Sequence, residues 1–260
     1  MTRSSSITVP WLSPTDPFPS VDTAMPEETG LGGLLAVGAD LSPDRLLTAY
    51  RHGIFPWYSE PQPILWWSPD PRMVLEIERL RITRSLAKTI RRVAMDKAWD
   101  VRIDSAFEHV IMCCKNTRRE GQSGTWITDA IVDGYVALHR LGYAHSFEAW
   151  HDDQLVGGGY GIAIGRMFYG ESMFALETDA SKIAFVALVE FLHRNDVPMI
   201  DCQQNTRHLA SFGAREISRI EFTARVKELT QQQGPTQWPS RLSLHETARF
   251  VDTVYRSRQS

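Results

Sequence analysis

The chain has 260 residues, 43% hydrophobic and 23% charged, with a formal net charge of −3. That length suits one large domain or a main domain with a smaller one, and the composition is ordinary for a soluble globular protein. The charge gives no whole-molecule field for a polyanion, so any nucleic-acid contact must come from a local patch.

Residues 1–30 carry five prolines and predict an irregular arm. The opening "MTRSSSITVPWLSP" lacks the apolar core of a signal peptide, so no leader is expected. "LSPDRLLTAYRHG" predicts a short helix: Ser42 suits the N-cap, Pro43 the first turn, Leu46, Leu47 and Tyr50 the apolar stripe, and Gly53 the stop. "IFPWYSEPQPILWWSPDPR" packs five prolines and three tryptophans into nineteen residues, which predicts an ordered aromatic loop without regular elements. "ITRSLAKTIRRVAMDKAW" predicts a helix with Arg84, Lys88, Arg91 and Arg92 on one face. Such a face is either simply solvated or a contact for a phosphate backbone.

Two helical patterns follow, one from Ser105 to about Cys114 and one in "ITDAIVDGYVALHRLG", capped by Thr128 and stopped at Gly142. From Ala144 the pattern becomes an antiparallel meander: "AHSFEAW", the turn "HDDQ", "LVGGGYGIAI", the turn Gly165-Arg166 and "MFYGESMFA". "DASKIAFVALVEFLHRN" predicts a buried helix N-capped by Asp179, "PMIDCQ" a buried strand, and "TRHLASFG" a short helix ended by Gly213. A linker-like "QQQGPTQWPS" precedes a polar end whose expected element is a helix. Meander, helix, strand, helix predicts an α+β fold with a mixed, largely antiparallel sheet.

The glycines of "LVGGGYGIAIGRMFYGESMF" do not bind phosphate, because their spacing fits neither G-x-G-x-x-G nor the P-loop. They read as a thinned hairpin that a ligand or another backbone approaches closely. Strand period puts Asp201 and Gln203 on one face of "MIDCQ", where buried polar groups need partners. Glu171 stands among Phe168, Tyr169, Met173 and Phe174, as a satisfied buried acid or as part of a site. Cys113, Cys114 and Cys202 form no CxxC pair, and His109 with Cys113 has no second ligand pair, so no metal site is expected. The longest apolar run, Ile183 to Leu192, is too short to cross a membrane, and a reduced, cytoplasmic setting is the expectation. Trp57, Trp66, Trp67 and Trp126 sit among polar and proline-rich neighbours, which favours stacking surfaces.

"GLLAVGADLSPDRLLTAYRHGIFPWY", "PILWWSPDPRMVL", "GTWIT", "AHSFEAW", "LVGGGYG", "GESMF", "ASK" and "IDCQ" occur in an order and spacing that resembles the bacterial leucyl/phenylalanyl-tRNA–protein transferases. The resemblance runs from about Gly30 to Phe222. It implies a small N-terminal domain (1–74) and a GNAT-like acyltransferase domain (75–260). It also implies transfer of Leu, Phe or less often Met from aminoacyl-tRNA to proteins beginning with Arg or Lys, without a cofactor. Asp201, Gln203 and Glu171 match the family's active-site positions. Phe168, Met173 and Ile200 match the amino-acid pocket, and Trp57 and Trp126 the platform for the terminal adenosine. Arg84, Lys88, Arg91 and Arg92 then become a tRNA contact. Asp201 is expected to orient Gln203 or accept from the amine, with proton transfer through the ribose hydroxyl as the alternative.

Two positions depart from the family. Ala39 stands where "GGD" is usual, and Gly159 where Met or Leu is often found, which implies a roomier pocket that favours Phe. The rival reading is a CoA-dependent N-acyltransferase, which needs a glycine nest for pyrophosphate. The corresponding "FALETDASK" has two acids and no glycine. A non-catalytic tRNA-binding module is the third reading, and retention of both Asp201 and Gln203 speaks against it.

Overall fold

The computed structural model describes residues 8–117 and 125–256. The first seven residues of the opening segment and Gly124 of "GTWIT" lie outside the described residues.

A small sheet comes first. It contains β1 (Trp11–Leu12), β2 (Leu34–Gly38), β3 (Phe55–Pro56) and β4 (Leu65–Trp67), with α1 (Pro43–Arg51) between β2 and β3. Its order is β1-β2-β4-β3. The proline–tryptophan segment is therefore not wholly irregular. β3 is an edge strand, where a proline without an N–H removes no ladder bond, and β4 contains no proline. α1 is capped as its sequence predicts, with Ser42 accepting from the Arg45 N–H at 3.4 Å. Gly38 and Ala39 both lie in the left-handed region, at φ +86° and +60°. Ala39 thus bears a steric cost, roughly 1–2 kcal/mol, that glycine would not.

The remaining elements are β5 (Arg72–Glu76), α2 (Arg84–Val93), β6 (Trp99–Ile103), α3 (Phe107–Asn116), α4 (Asp129–Arg140), β7 (Ala144–His151), β8 (Gln154–Ile164) and β9 (Met167–Ala175). They continue with α5 (Ala180–Arg194), β10 (Met199–Asp201), α6 (Arg207–Ser211), β11 (Arg215–Ile217), α7 (Arg219–Leu229), β12 (Arg241–Leu242) and α8 (Leu244–Arg256). The strands form one sheet ordered β11-β5-β10-β9-β8-β7-β6-β12. Within this sheet, among the described residues, only the β9–β10 pair is parallel, so the fold is α+β with a mixed, largely antiparallel sheet.

A boundary at residue 74 falls inside β5, and the change of sheet lies between Trp67 and Arg72. The two sheets also share a core, since Tyr50 and Trp66 pack in one cluster with Tyr135, Tyr160 and Phe222. α3 and α4 cover one face of the large sheet. α5 covers the other and is itself packed against α2 and α8. Asp179 precedes α5 as expected, but its carboxylate turns to Lys182 at 2.7 Å and caps no backbone N–H.

The glycines of β8 admit neighbouring protein. A Cβ on Gly157 would lie 2.6 Å from Ala180 at the start of α5, and one on Gly161 would meet the Phe168 ring at 2.5 Å. β10 stops at Asp201, and Gln203 is left-handed at φ +54°. The expected strand alternation through "MIDCQ" therefore ends before Gln203.

Candidate active site

Where β10 ends, β9 continues beside it, and a cavity of about 320 Å³ opens between them. Its apolar wall is Phe147, Phe168, Met173, Phe185 and Ile200. Trp57 and Trp126, both half-buried, and the acid and amide of Glu171 and Gln203 also line it. Sequence reasoning thus named residues from four distant segments that share one cavity. Phe147 and Phe185 went unnamed because each looks like ordinary core on its own element.

Gly159 is not in the lining. A Cβ there would come within 2.5 Å of the Ser172 carbonyl, 2.6 Å of the Phe147 ring and 2.8 Å of Met173. The expected roomier pocket does not arise, because two lining side chains occupy the space that a residue at 159 would use. Gly159→Met should therefore lower stability, by about 1–3 kcal/mol for overpacking. Thermal unfolding at constant pH measures this. A stable variant with altered Phe:Leu selectivity would contradict it. Gly170 is the open glycine of the site: it lines the cavity, and a Cβ there would meet nothing nearer than the Asp201 carbonyl at 3.6 Å.

Glu171 is held from two helices. Tyr50 of α1 donates to Oε1 at 2.7 Å and Tyr135 of α4 donates to Oε2 at 3.1 Å. The two phenol oxygens also lie within hydrogen-bond reach of each other, so the two O–H protons are shared among three contacts, and the Gln203 amide approaches Oε1 at 3.4 Å. Burial raises the carboxyl to about 7, while the tyrosine hydrogen bonds oppose the rise by favouring the ionised form. Sequence reasoning gave neither tyrosine a part in the site. The available signal was chemical: a hydroxyl on a buried stripe needs a partner.

Of the two roles expected of Asp201, the geometry fits orienting Gln203 rather than accepting from the amine. Asp201 is fully buried, with Oδ1 accepting from Arg72 Nε at 2.8 Å and Oδ2 accepting from Arg72 NH2 at 2.6 Å. Oδ1 also accepts the Gln203 backbone N–H at 2.9 Å. The Asp201 side chain has no exposed surface, whereas Glu171 is partly exposed, so the Asp201 carboxylate is not placed to accept from an amine in the cavity. The Cys202 thiol is pushed far above its usual range by burial, which leaves it no thiolate for covalent catalysis.

The basic face lies outside the cavity, on the exposed side of α2. Arg91 pairs with Asp252 of α8 at 2.7 Å. Arg84, Lys88 and Arg92 have no ion-pair partner among the described residues.

Among the described residues, no helix is long and apolar enough to cross a membrane.

A family model described as leucyl/phenylalanyl-tRNA protein transferase matches residues 74–227, and a model for that family's N-terminal domain matches residues 39–70. A leucyl/phenylalanyl-tRNA–protein transferase of Ralstonia pickettii is 56% identical over 230 residues, which is 88% of this chain and 93% of the relative. Those of Cupriavidus metallidurans and Burkholderia vietnamiensis are 57% and 56% identical over 88% of the chain, covering 92% and 90% of their own lengths.

Proposed function

The chain belongs to the leucyl/phenylalanyl-tRNA protein transferase family, and on that premise we propose that it moves leucine, phenylalanine or less often methionine from aminoacyl-tRNA to proteins beginning with Arg or Lys. The product carries a destabilising N-terminus for the N-degron pathway, and the reaction takes place in the cytoplasm. The observation that carries the reading is Glu171, fixed by two tyrosine hydroxyls at the polar end of an apolar cavity.

The donor is an ester and already activated, so the enzyme's task is to bring amine and carbonyl together. The donor side chain fills the wall of Phe168, Met173 and Ile200, and the terminal adenosine stacks on Trp57 and Trp126. Leu and Met differ on a methylene scale, which such a wall separates by only ~1–3 kcal/mol. The acceptor α-amine, with a pKa of about 8, attacks the ester carbonyl as the free base. Glu171, poised at about 7, takes the proton that the nitrogen loses. The C–O bond to the ribose breaks, and its oxygen leaves with a proton returned to it. Gln203 supports the tetrahedral centre. The negative charge at Glu171 also favours an acceptor whose first side chain is cationic.

Incubation with Phe-tRNA and a peptide beginning with Lys should add the mass of one phenylalanyl residue. Transfer from acetyl-CoA, with none from tRNA, would sink the proposal. The exposed cations of α2 serve the tRNA backbone in this reading. Arg84→Ala with Lys88→Ala should weaken tRNA binding and reduce the salt slope by roughly 1.4–1.8, about 0.7–0.9 per lost phosphate contact. Filter binding across a salt series reads both, and an unchanged slope would remove α2 from the tRNA interface.

A further inference from the structure

Gln203 holds a backbone conformation that a long L side chain rarely adopts, and its neighbours hold it there. Residues in the left-handed region persist when the surrounding structure over-determines them. Gln204 N–H closes a local turn on the Cys202 carbonyl at 2.7 Å, and the restraints from elsewhere in the backbone come from one dipeptide of β5. The Met73 carbonyl accepts from Cys202 N–H at 2.9 Å, and Met73 N–H donates to the Gln203 carbonyl at 3.3 Å. Arg72 fixes both Asp201 oxygens, one of which accepts the Gln203 N–H.

Arg72 itself is immobilised. Its guanidinium lies 4.6 Å from the Phe55 ring centroid and 4.5 Å from that of Phe222, and its NH1 donates to the Gly53 carbonyl at 3.1 Å. Phe55 and Gly53 belong to the N-terminal region and Phe222 to α7. The planar fork of arginine meets the carboxylate on two parallel bonds, a geometry that a lysine ammonium does not reproduce.

We infer that Arg72 is a positioning residue for aminoacyl transfer: clamped between Phe55 and Phe222, it holds Asp201 and thereby aims the Gln203 amide into the cavity beside Glu171. The inference rests on the proposed role of Gln203. It also gives the small N-terminal sheet a part in turnover, since the clamp is assembled across the junction between the two sheets.

The test is a double-mutant cycle on the full-length protein with Phe-tRNA and a Lys peptide. Arg72→Lys keeps the charge and should lower kcat roughly 10–100-fold, as misplacement of a reacting group does, with tRNA affinity unchanged. Combined with Gln203→Ala, it should lower kcat no further than Gln203→Ala alone, because both changes remove the same contribution. Independent, multiplying losses would overturn the inference, as would parental kcat in Arg72→Lys. If Arg72→Lys does not fold, Phe222→Leu loosens the clamp and leaves the ion pair in place, and the same cycle is run with it. Parental turnover in Gln203→Ala would overturn the site assignment and the role of Arg72 together. A slow Gln203→Ala with multiplying losses would overturn Arg72 alone.

Discussion

Replacing Glu171 by glutamine is expected to cut turnover ~10²–10⁴-fold, the range for loss of a general base. Binding of tRNA should survive, since the exposed cations of α2 lie elsewhere. The parent's activity should rise with pH through about 7, as Glu171 ionises, and onward as the acceptor amine loses its proton. The glutamine variant should keep only the second dependence.

Stability should move in the opposite sense. The folded carboxyl is raised from 4.5 to about 7, so the protonated form's contribution is full below 4.5 and is lost as pH rises through about 7. Above that, the parent carries a buried charge that glutamine does not. The stability of Glu171→Gln relative to the parent should therefore grow between pH 4.5 and 8, by at most about 3 kcal/mol. Denaturant midpoints at pH 5 and pH 8 check this. An unchanged pH–rate profile in the variant would remove Glu171 as the base.

The second large effect concerns folding. Asp201→Ala leaves the Arg72 guanidinium fully buried without its carboxylate, and breaking such a pair costs about 3–5 kcal/mol. Against a total stability of about 5–15 kcal/mol, that should lower the melting temperature by roughly 6–20 °C. The variant should also lose turnover, because the Gln203 N–H loses the carboxylate that accepts it. Arg72→Met with Asp201→Leu removes both charges at similar volume and should recover most of the stability without recovering turnover. Scanning calorimetry beside single-turnover assays separates the two. A parental melting temperature in Asp201→Ala would show that the ion pair contributes nothing to the fold.

Elements whose signals act over one or two turns were readable in the chain. Ser42 and Thr128 cap their helices, Gly53 and Gly142 lie in the left-handed region just past helix ends, and the β7–β8–β9 meander follows its alternation and turns. Its motifs also carried the chemistry, because the carboxylate, amide and tryptophans that line the cavity are readable as residue types in order. The short strands β3, β5, β6 and β11, of two to five residues, were not legible, since so few residues gain strand character only from the partners they pair with.

Tertiary structure alone decided what those residues do. Tyr50 and Glu171 are 121 positions apart, and Arg72 and Asp201 are 129 apart. No periodicity or local spacing predicts that a hydroxyl on α1 meets a carboxylate on β9, or that a guanidinium on β5 takes up both oxygens of Asp201. Gly159 shows the same division. Its small size was evident from the sequence, but packing fills the space beside it with Phe147 and Met173, and so denies it a pocket. Local free energies of a turn or a cap are set by neighbours in the chain. The charge state of Glu171 and the engagement of Asp201 are set by burial and by groups that only the fold brings within hydrogen-bond reach.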